Sequence, residues 1–328
     1  MSGVQTRKVG PDESGMRLDR WFKVHFPQVR HGELEKLLRK GQVRVAGGRV
    51  KANRRLETGE DIRIPPLSDD APPAAPRKSN TNDAAEIRKM ILFEDDAFIA
   101  LNKPFGLAVQ GGTNTKQHLD GMLAALEKDG ERPRLVHRLD KDTGGLMLVA
   151  KTRQAAHRLG DAFKGHDVAK TYWALTAGAP RPREGTIMLA IAKKMVRIGE
   201  GEEERMAPAE GQDAKKAITD YQTIDEAGEG IAFLAMRPVT GRTHQLRVHA
   251  AAVGCPIIGD GKYGGPASRV EGVSAKLHLF CRSMTFPHPK TGRRMTLNAP
   301  LTGHMLDTWK FFSFDKNAQC EWPEDVPR

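Results

Sequence analysis

Five prolines fall within twelve residues at 65–76, inside the stretch PPLSDDAPPAAPRKSNTND that runs to residue 83. Proline lacks a backbone N–H and fixes φ, so neither a helix nor a sheet interior can pass through such a run. The stretch predicts a semi-extended linker, and a chain interrupted this way folds as at least two bodies. The length of 328 residues agrees, at roughly 100 to 200 residues per domain. Composition places a small module at 16–66, a linker at 67–86, a large domain at 87–314 and a tail at 315–328, the last dozen residues of which are expected to be loose.

Charge divides unevenly across that break. The chain carries 52 Lys or Arg against 41 Asp or Glu, a net +11. Residues 1–66 hold 15 basic and 8 acidic residues, so a fifth of the chain supplies +7 of that excess. Such clustering is the footprint of a surface that meets a polyanion. Hydrophobic residues at 39% and charged residues at 28% exclude a disordered tail protein. No stretch of about 18 apolar residues occurs, and the N-terminus has no apolar signal region. Cys255, Cys281 and Cys320 are too few and too far apart for a disulfide framework. A cytoplasmic protein without a membrane partner is expected.

In the module, Leu18, Trp21, Phe22 and His25 keep helical spacing until Pro27. A second helix is predicted at 31–40, with Leu34, Leu37 and Leu38 as its apolar stripe and Arg30, Lys36, Arg39 and Lys40 projecting elsewhere. Val43 and Val45 then alternate with Gln42 and Arg44 before a Gly47-Gly48 turn, which predicts a small basic β unit. The large domain mixes strand-like runs at 91–93, 98–101, 146–150, 172–176 and 233–236 with helical segments at 117–128 and 153–164. An α+β fold on a mixed, mainly antiparallel sheet follows. The charged, glycine-bearing segment 193–216 predicts an exposed hairpin or mobile insertion, and Trp309, Phe311, Phe312 and Phe314 predict core packing near the end.

Four segments of this domain carry candidate chemistry. LVHRLDKDTGGLMLVAK, from Leu135, reads as strand, polar loop, strand, and the loop presents Asp140 after His137 and Arg138. Asp and Gly dominate turns for backbone reasons alone, so this segment by itself is also a plain turn. GRTHQLRVH at 241–249 predicts a strand with Gln245, Arg247 and His249 on one face. An arginine among apolar residues needs a partner, normally a carboxylate, in a structural or a functional ion pair. AKTYWAL places Tyr172 in a strand, where such a tyrosine is commonly core. LNKPFGLAVQ predicts a strand that turns at Gly106. No P-loop is present, and His137, His244, His249 and Cys255 lack the spacing of metal ligands, so no metal is expected.

Taken together and in order, KPFGLAV, HRLDKDTGG, AKTYWAL and GRTHQLRVH resemble the RluA-type pseudouridine synthase family across about 90–300. RLDRWF and LEKLLRKGQVRVAGGRVKANRRLETGEDIRIP resemble the S4 RNA-binding domain across 16–64. The resemblance implies an α+β catalytic domain behind an S4 domain, an isomerase with no cofactor and no metal, and 23S ribosomal RNA or a large-subunit assembly intermediate as partner of a monomer. It implies Asp140 as the catalytic aspartate, Tyr172 as the tyrosine that packs on the target uracil and assists at C5, and Arg247 as the arginine that pairs with the aspartate and favours its ionised form. Arg138 and Arg242 fall at RNA contacts of the catalytic domain, and Arg30, Lys36, Arg39, Lys40 and Arg44 at phosphate contacts of the S4 domain. Gly144 departs from the family's HRLDxxTSG, where a serine is usual, and altered loop rigidity is expected from the missing hydroxyl. A non-catalytic RNA-binding assembly factor would not need Asp140, Tyr172 and Arg247 together. A metal-dependent nuclease would need clustered ligands.

Overall fold

The computed structural model describes residues 3–67, 81–111, 117–199, 201–228 and 230–322. The chain divides into two units, Met1–Lys78 and Ser79–Arg328.

The first unit runs β1 (Gln5–Lys8), α1 (Leu18–His25), α2 (His31–Arg39), β2 (Arg44–Val45) and β3 (Asp61–Ile64), with an antiparallel sheet in the order β1-β3-β2. Leu18, Trp21 and Phe22 share one face of α1 and are buried against Leu34 and Leu38 of α2. Val43 and Val45 alternate inward while Gln42 and Arg44 stay exposed, the period-2 pattern of a half-buried strand. Gly41 ends α2 at φ 67°, the left-handed position that favours glycine after a helix. Leu67 is buried in the same core. Most of the proline-rich stretch, residues 68–80, lies outside the described residues.

The second unit opens with α3 (Thr81–Lys89), followed by β4 (Ile91–Glu94), β5 (Phe98–Lys103), α4 (Leu119–Met122), β6 (Arg134–Leu135), β7 (Gly144–Ala150), α5 (Arg153–Lys164), β8 (Ala169–Ala177), β9 (Glu184–Met188), β10 (Ile191–Ile198), β11 (Gly201–Pro208), β12 (Ile218–Ala227), β13 (Ile231–Pro238), α6 (Gln245–Ala252), β14 (Leu279–Pro287), β15 (Arg294–Asn298) and α7 (Gly303–Phe311). Ten strands form one mixed sheet in the order β4-β5-β7-β14-β8-β13-β12-β9, with β15 beside β14 and β6 beside β7. Its pairings are antiparallel except that of β7 with β14, which is parallel. All seven residues of β7 are buried, as expected of a central strand covered on both faces. The expected helix at 153–164 is α5, opened by the Thr152 hydroxyl accepting from the Ala155 N–H at 3.1 Å. The expected helix at 117–128 is the short α4 continued by a 3-10 turn at Leu123–Leu126. Residues 193–216 contain most of an antiparallel hairpin, β10 with β11.

Two expectations are corrected. Residues 245–252 are a helix and not a strand, because Gln245 through Ala250 are all buried. A helix buried all round shows no amphipathic period, so the apparent alternation of GRTHQLRVH carried no information. The tail is also fastened as far as Trp322. Its indole N–H donates to Thr171 Oγ1 at 2.8 Å, its ring lies 5.1 Å from the Arg237 guanidinium, and the Cys320 thiol donates to Gln222 Oε1 at 2.8 Å. Residues 323–328 lie outside the described residues. Trp309 and Phe314 are core, whereas Phe311 is exposed.

His278 gives the fold a pH dependence. It is fully buried, with Nδ1 3.3 Å from the Ile258 carbonyl and Nε2 3.0 Å from the Thr308 hydroxyl. Burial, helped by nearby His304, pushes its pKa down to about 4. The unfolded chain therefore takes up this proton first, so the stabilisation is complete above about pH 6.5 and is lost as pH falls towards 4, at up to about 1.4 kcal/mol per pH unit. Urea unfolding at pH 7 and pH 5 should show that loss, and His278→Gln should flatten the slope.

Candidate active site

The end of the sheet where β7 meets β14 carries a cavity of about 350 Å³. Its lining includes Asp140 from the loop before β7, Tyr172 from β8 and Arg247 from α6, together with Arg138, Lys170, Arg242 and His244. The structure thus brings together all five site residues that the sequence placed in this domain.

The Asp140 loop is held from within. Lys103, at the end of β5, is fully buried, and its ammonium donates to the carbonyls of Pro104 at 2.9 Å, Leu107 at 2.8 Å and Lys141 at 3.1 Å. The Gly106 N–H donates to the same Lys141 carbonyl at 2.9 Å, and the Thr143 N–H to the Asp140 carbonyl at 3.1 Å. Burial pushes the Lys103 amine down to about 8, although the charges of Asp142 and Asp140 oppose it. From the sequence alone, this Lys-Pro pair marks only a turn.

Two glycines set how closely the loop's exit packs. Gly145 has φ 106°, and a Cβ there would lie 2.3 Å from the Cys281 carbonyl oxygen of β14. No side chain fits, since real contacts of that kind do not occur. Gly144 sets the packing through space rather than through its backbone angle. Its backbone is outside the left-handed region, and the Phe105 ring occupies the place of its Cβ, at 2.8–3.0 Å. The residue makes room for that ring, which packs between Phe280 and His304. A serine here would displace Phe105.

Tyr172 faces the cavity. Burial, then the Cys281 thiol and the Asp140 carboxylate, raises its phenol well above the usual range, so the ring stays neutral. Lys170 lies two residues away on the same strand face. It has no hydrogen-bond or ion-pair partner among the described residues, and burial lowers its pKa. His137 accepts the Leu148 N–H at 2.8 Å and stacks on Phe163 at 4.4 Å, which assigns it to packing.

Arg247 does not pair with Asp140. Its Nε and one terminal nitrogen donate to Asp260 at 2.8 and 2.6 Å, in a buried bidentate pair. Asp260 also accepts the N–H groups of Lys262 at 2.9 Å and Tyr263 at 3.0 Å. Burial alone would raise this carboxyl, but the Arg247 guanidinium and the two amides hold it below the usual carboxylate range. Asp260 escaped the sequence reading, although a signal was present: it is the first carboxylate after Arg247, thirteen residues on. The nearest titratable side chain to Asp140 across the cavity is His244, whose Nε2 lies 3.6 Å from Oδ2. Gln245 fixes the preceding turn by using all four of its hydrogen bonds, accepting from Thr240 Oγ1 and the Arg242 N–H and donating to the Ile218 carbonyl and Thr219 Oγ1. Arg242 Nε donates to the Lys216 carbonyl at 3.1 Å.

In the first unit, Arg30, Lys36 and Lys40 line one open groove with Glu33, Leu37 and Gln42. Arg39 is exposed, and Arg44 donates to the Gly41 carbonyl at 3.1 Å. Among the described residues no group of three or more His, Cys, Asp or Glu side chains is placed to hold a metal, and no helix is long and apolar enough to cross a membrane.

Residues 97–252 match the family model described as RNA pseudouridylate synthase. The chain is 36% identical over 308 residues to ribosomal large subunit pseudouridine synthase C of Haemophilus influenzae, which covers 93% of this chain and 94% of that protein. It is 34% identical over 310 residues to the protein of the same name from Rickettsia felis, covering 93% and 96%. Among solved structures, human RNA pseudouridylate synthase domain containing 4 superposes with a TM-score of 0.59 at 26% identity, over 70% of this chain and 95% of that one. Human RNA pseudouridylate synthase domain containing 1 gives 0.53 at 27%, over 64% and 82%.

Proposed function

The chain belongs to the RNA pseudouridylate synthase family, and from that membership we propose that it isomerises uridines of large-subunit ribosomal RNA, the 23S RNA, to pseudouridine, with Asp140 as the reacting carboxylate. The observation that carries the reading is the convergence of Asp140, Tyr172 and Arg247 from three separate elements on one cavity. The likeness over 93% of the chain to proteins named ribosomal large subunit pseudouridine synthase C supports the choice of RNA.

The reaction breaks the N1–C1′ bond of uridine, turns the base and rejoins it through C5. Asp140 acts at the sugar, as nucleophile at C1′ or as base at the 2′ position, and for either it must be ionised. The uridine has to leave its stack to reach the cavity. Tyr172 offers the extruded base a flat face, and stacking of a base on an aromatic ring is worth about 1–3 kcal/mol. Because its phenol stays protonated, Tyr172 serves as a surface and a neutral hydrogen-bonding group. Arg247, committed to Asp260, shapes the wall behind Asp140 and adds positive potential there. Arg138 and Arg242, both exposed beside the cavity, would serve to fill the gap left by the extruded nucleotide and to meet the RNA backbone, respectively. Mapping pseudouridines in ribosomal RNA from cells with and without the gene tests the assignment: loss of one or more sites in the large-subunit RNA is expected. Loss confined to another RNA would replace the substrate named here.

The first unit is, on this reading, an S4 domain that anchors the same RNA through Arg30, Lys36, Arg39, Lys40 and Arg44. Replacing Lys36, Arg39 and Lys40 by glutamine should lower the slope of log affinity against log salt by about 2 in magnitude, since each phosphate contact releases roughly 0.7–0.9 of a counterion. Filter binding at several salt concentrations measures it, and an unchanged slope removes this face from the RNA interface.

A further inference from the structure

The proposed chemistry leaves a line of groups beside Asp140 unused. His244 caps the N-terminus of α6 in the left-handed region, at φ 53° and ψ 17°. A non-glycine residue held there is strained, and such strain persists only where the surroundings fix it. Here the ring is fixed at both nitrogens. Nδ1 lies 2.6 Å from the Tyr263 hydroxyl and Nε2 3.6 Å from Asp140 Oδ2.

The direction of these bonds can be derived. The Met206 N–H, on β11 of the charged hairpin, donates to the Tyr263 hydroxyl at 3.3 Å. With one hydrogen arriving from Met206, the phenol is free to direct its own hydrogen to His244 Nδ1, the arrangement taken here. Burial first, then the charges of Arg247 and Lys262, favours the neutral imidazole, against the charges of Asp140 and Asp260. A neutral imidazole that accepts at Nδ1 carries its hydrogen on Nε2, the atom that faces Asp140. Tyr263 is itself placed twice, by its N–H to Asp260 and by the Arg247 guanidinium 5.0 Å from its ring. Glu203 of β11 ties the hairpin to the same turn through Lys262 at 2.5 Å, and Arg205 of β11 donates to the Lys262 carbonyl.

We propose that Met206, Tyr263 and His244 form a positioning line for Asp140, in which the His244 Nε2–H is the donor that orients the reacting carboxylate. The inference rests on Asp140 being that carboxylate. The last gap of 3.6 Å is longer than a hydrogen bond, as such contacts often are before substrate is bound. A small turn of the Asp140 side chain closes it. The hairpin thereby belongs to the active site, and its role is to hold the tautomer of one histidine.

Tyr263→Phe tests the line without touching the strained residue, and it keeps the ring beside Arg247. Turnover of an in vitro transcribed large-subunit ribosomal RNA by the full-length variant should show kcat lowered roughly tenfold with KM within about twofold. His244→Gln keeps an N–H near the Nε2 position, and adding Tyr263→Phe to it should change nothing further, since the phenol acts through the histidine. Wild-type kcat in Tyr263→Phe, or losses that multiply in the double variant, overturns the positioning line alone. A wild-type protein that forms no pseudouridine in this RNA overturns the functional reading and the line with it.

Discussion

Replacing Asp140 by asparagine should abolish pseudouridine formation while RNA affinity stays within about twofold of wild type. Asparagine keeps the shape and size of the side chain but cannot attack C1′ or accept a proton, so the expected loss in kcat is on the order of 10⁴-fold or more. The structural cost should be small. Asp140 is partly exposed, its carboxylate lies 3.6 Å from His244 Nε2, and the loop is held by backbone carbonyls and Lys103. Quantifying pseudouridine in a large-subunit RNA transcript, with binding measured on the same preparation, separates the two effects. Retained turnover would remove Asp140 from the chemistry, and lost binding would make it an RNA contact instead.

Replacing Asp260 by alanine should have the largest effect on stability. It strands the Arg247 guanidinium, which is buried, and frees the amides of Lys262 and Tyr263. Removing one partner of a buried pair costs about 3–5 kcal/mol. For a unit of this size that corresponds to a Tm lower by roughly 10 °C. Adding Arg247→Met should recover much of the loss, because the penalty comes from the unpaired charge and not from the missing contact. Thermal unfolding of the two single variants and the double variant decides it. A double variant no more stable than Asp260→Ala would mean that the amides, and not the guanidinium, are what Asp260 supports.

Much of the site was legible because its residues sit in segments whose order survives folding. Asp140, Tyr172, Arg247, Arg138 and Arg242 lie in three separated motifs, and the sheet order brings β7, β14 and β8 side by side so that the motifs meet. What escaped the sequence was partnership. Arg247 needed a carboxylate, and the choice between Asp140 and Asp260 depends on whether residues 245–252 are strand or helix. That choice rested on an alternation which a fully buried helix does not display. Lys103 escaped for a related reason. A buried lysine that bonds three carbonyls leaves no complementary charge in the sequence to betray it. The hairpin was read correctly as a hairpin, but its link to Tyr263 runs through a backbone N–H, to which every residue except proline contributes alike.

The Lys103 ammonium bears on how one uridine is chosen among many. It ties the backbone next to Asp140 to two carbonyls of its own turn, and four residues further on Gly145 packs so closely on Cys281 that the strand cannot slide. In the role proposed for Asp140, a carboxylate mounted this way is not carried to the base; the RNA has to bring the base to it. Discrimination then falls on how cheaply each nucleotide can be turned out of its surroundings, and that cost is least where the uridine is unpaired or poorly stacked. Sites of modification should therefore track local weakness in the RNA fold more closely than the identity of neighbouring bases.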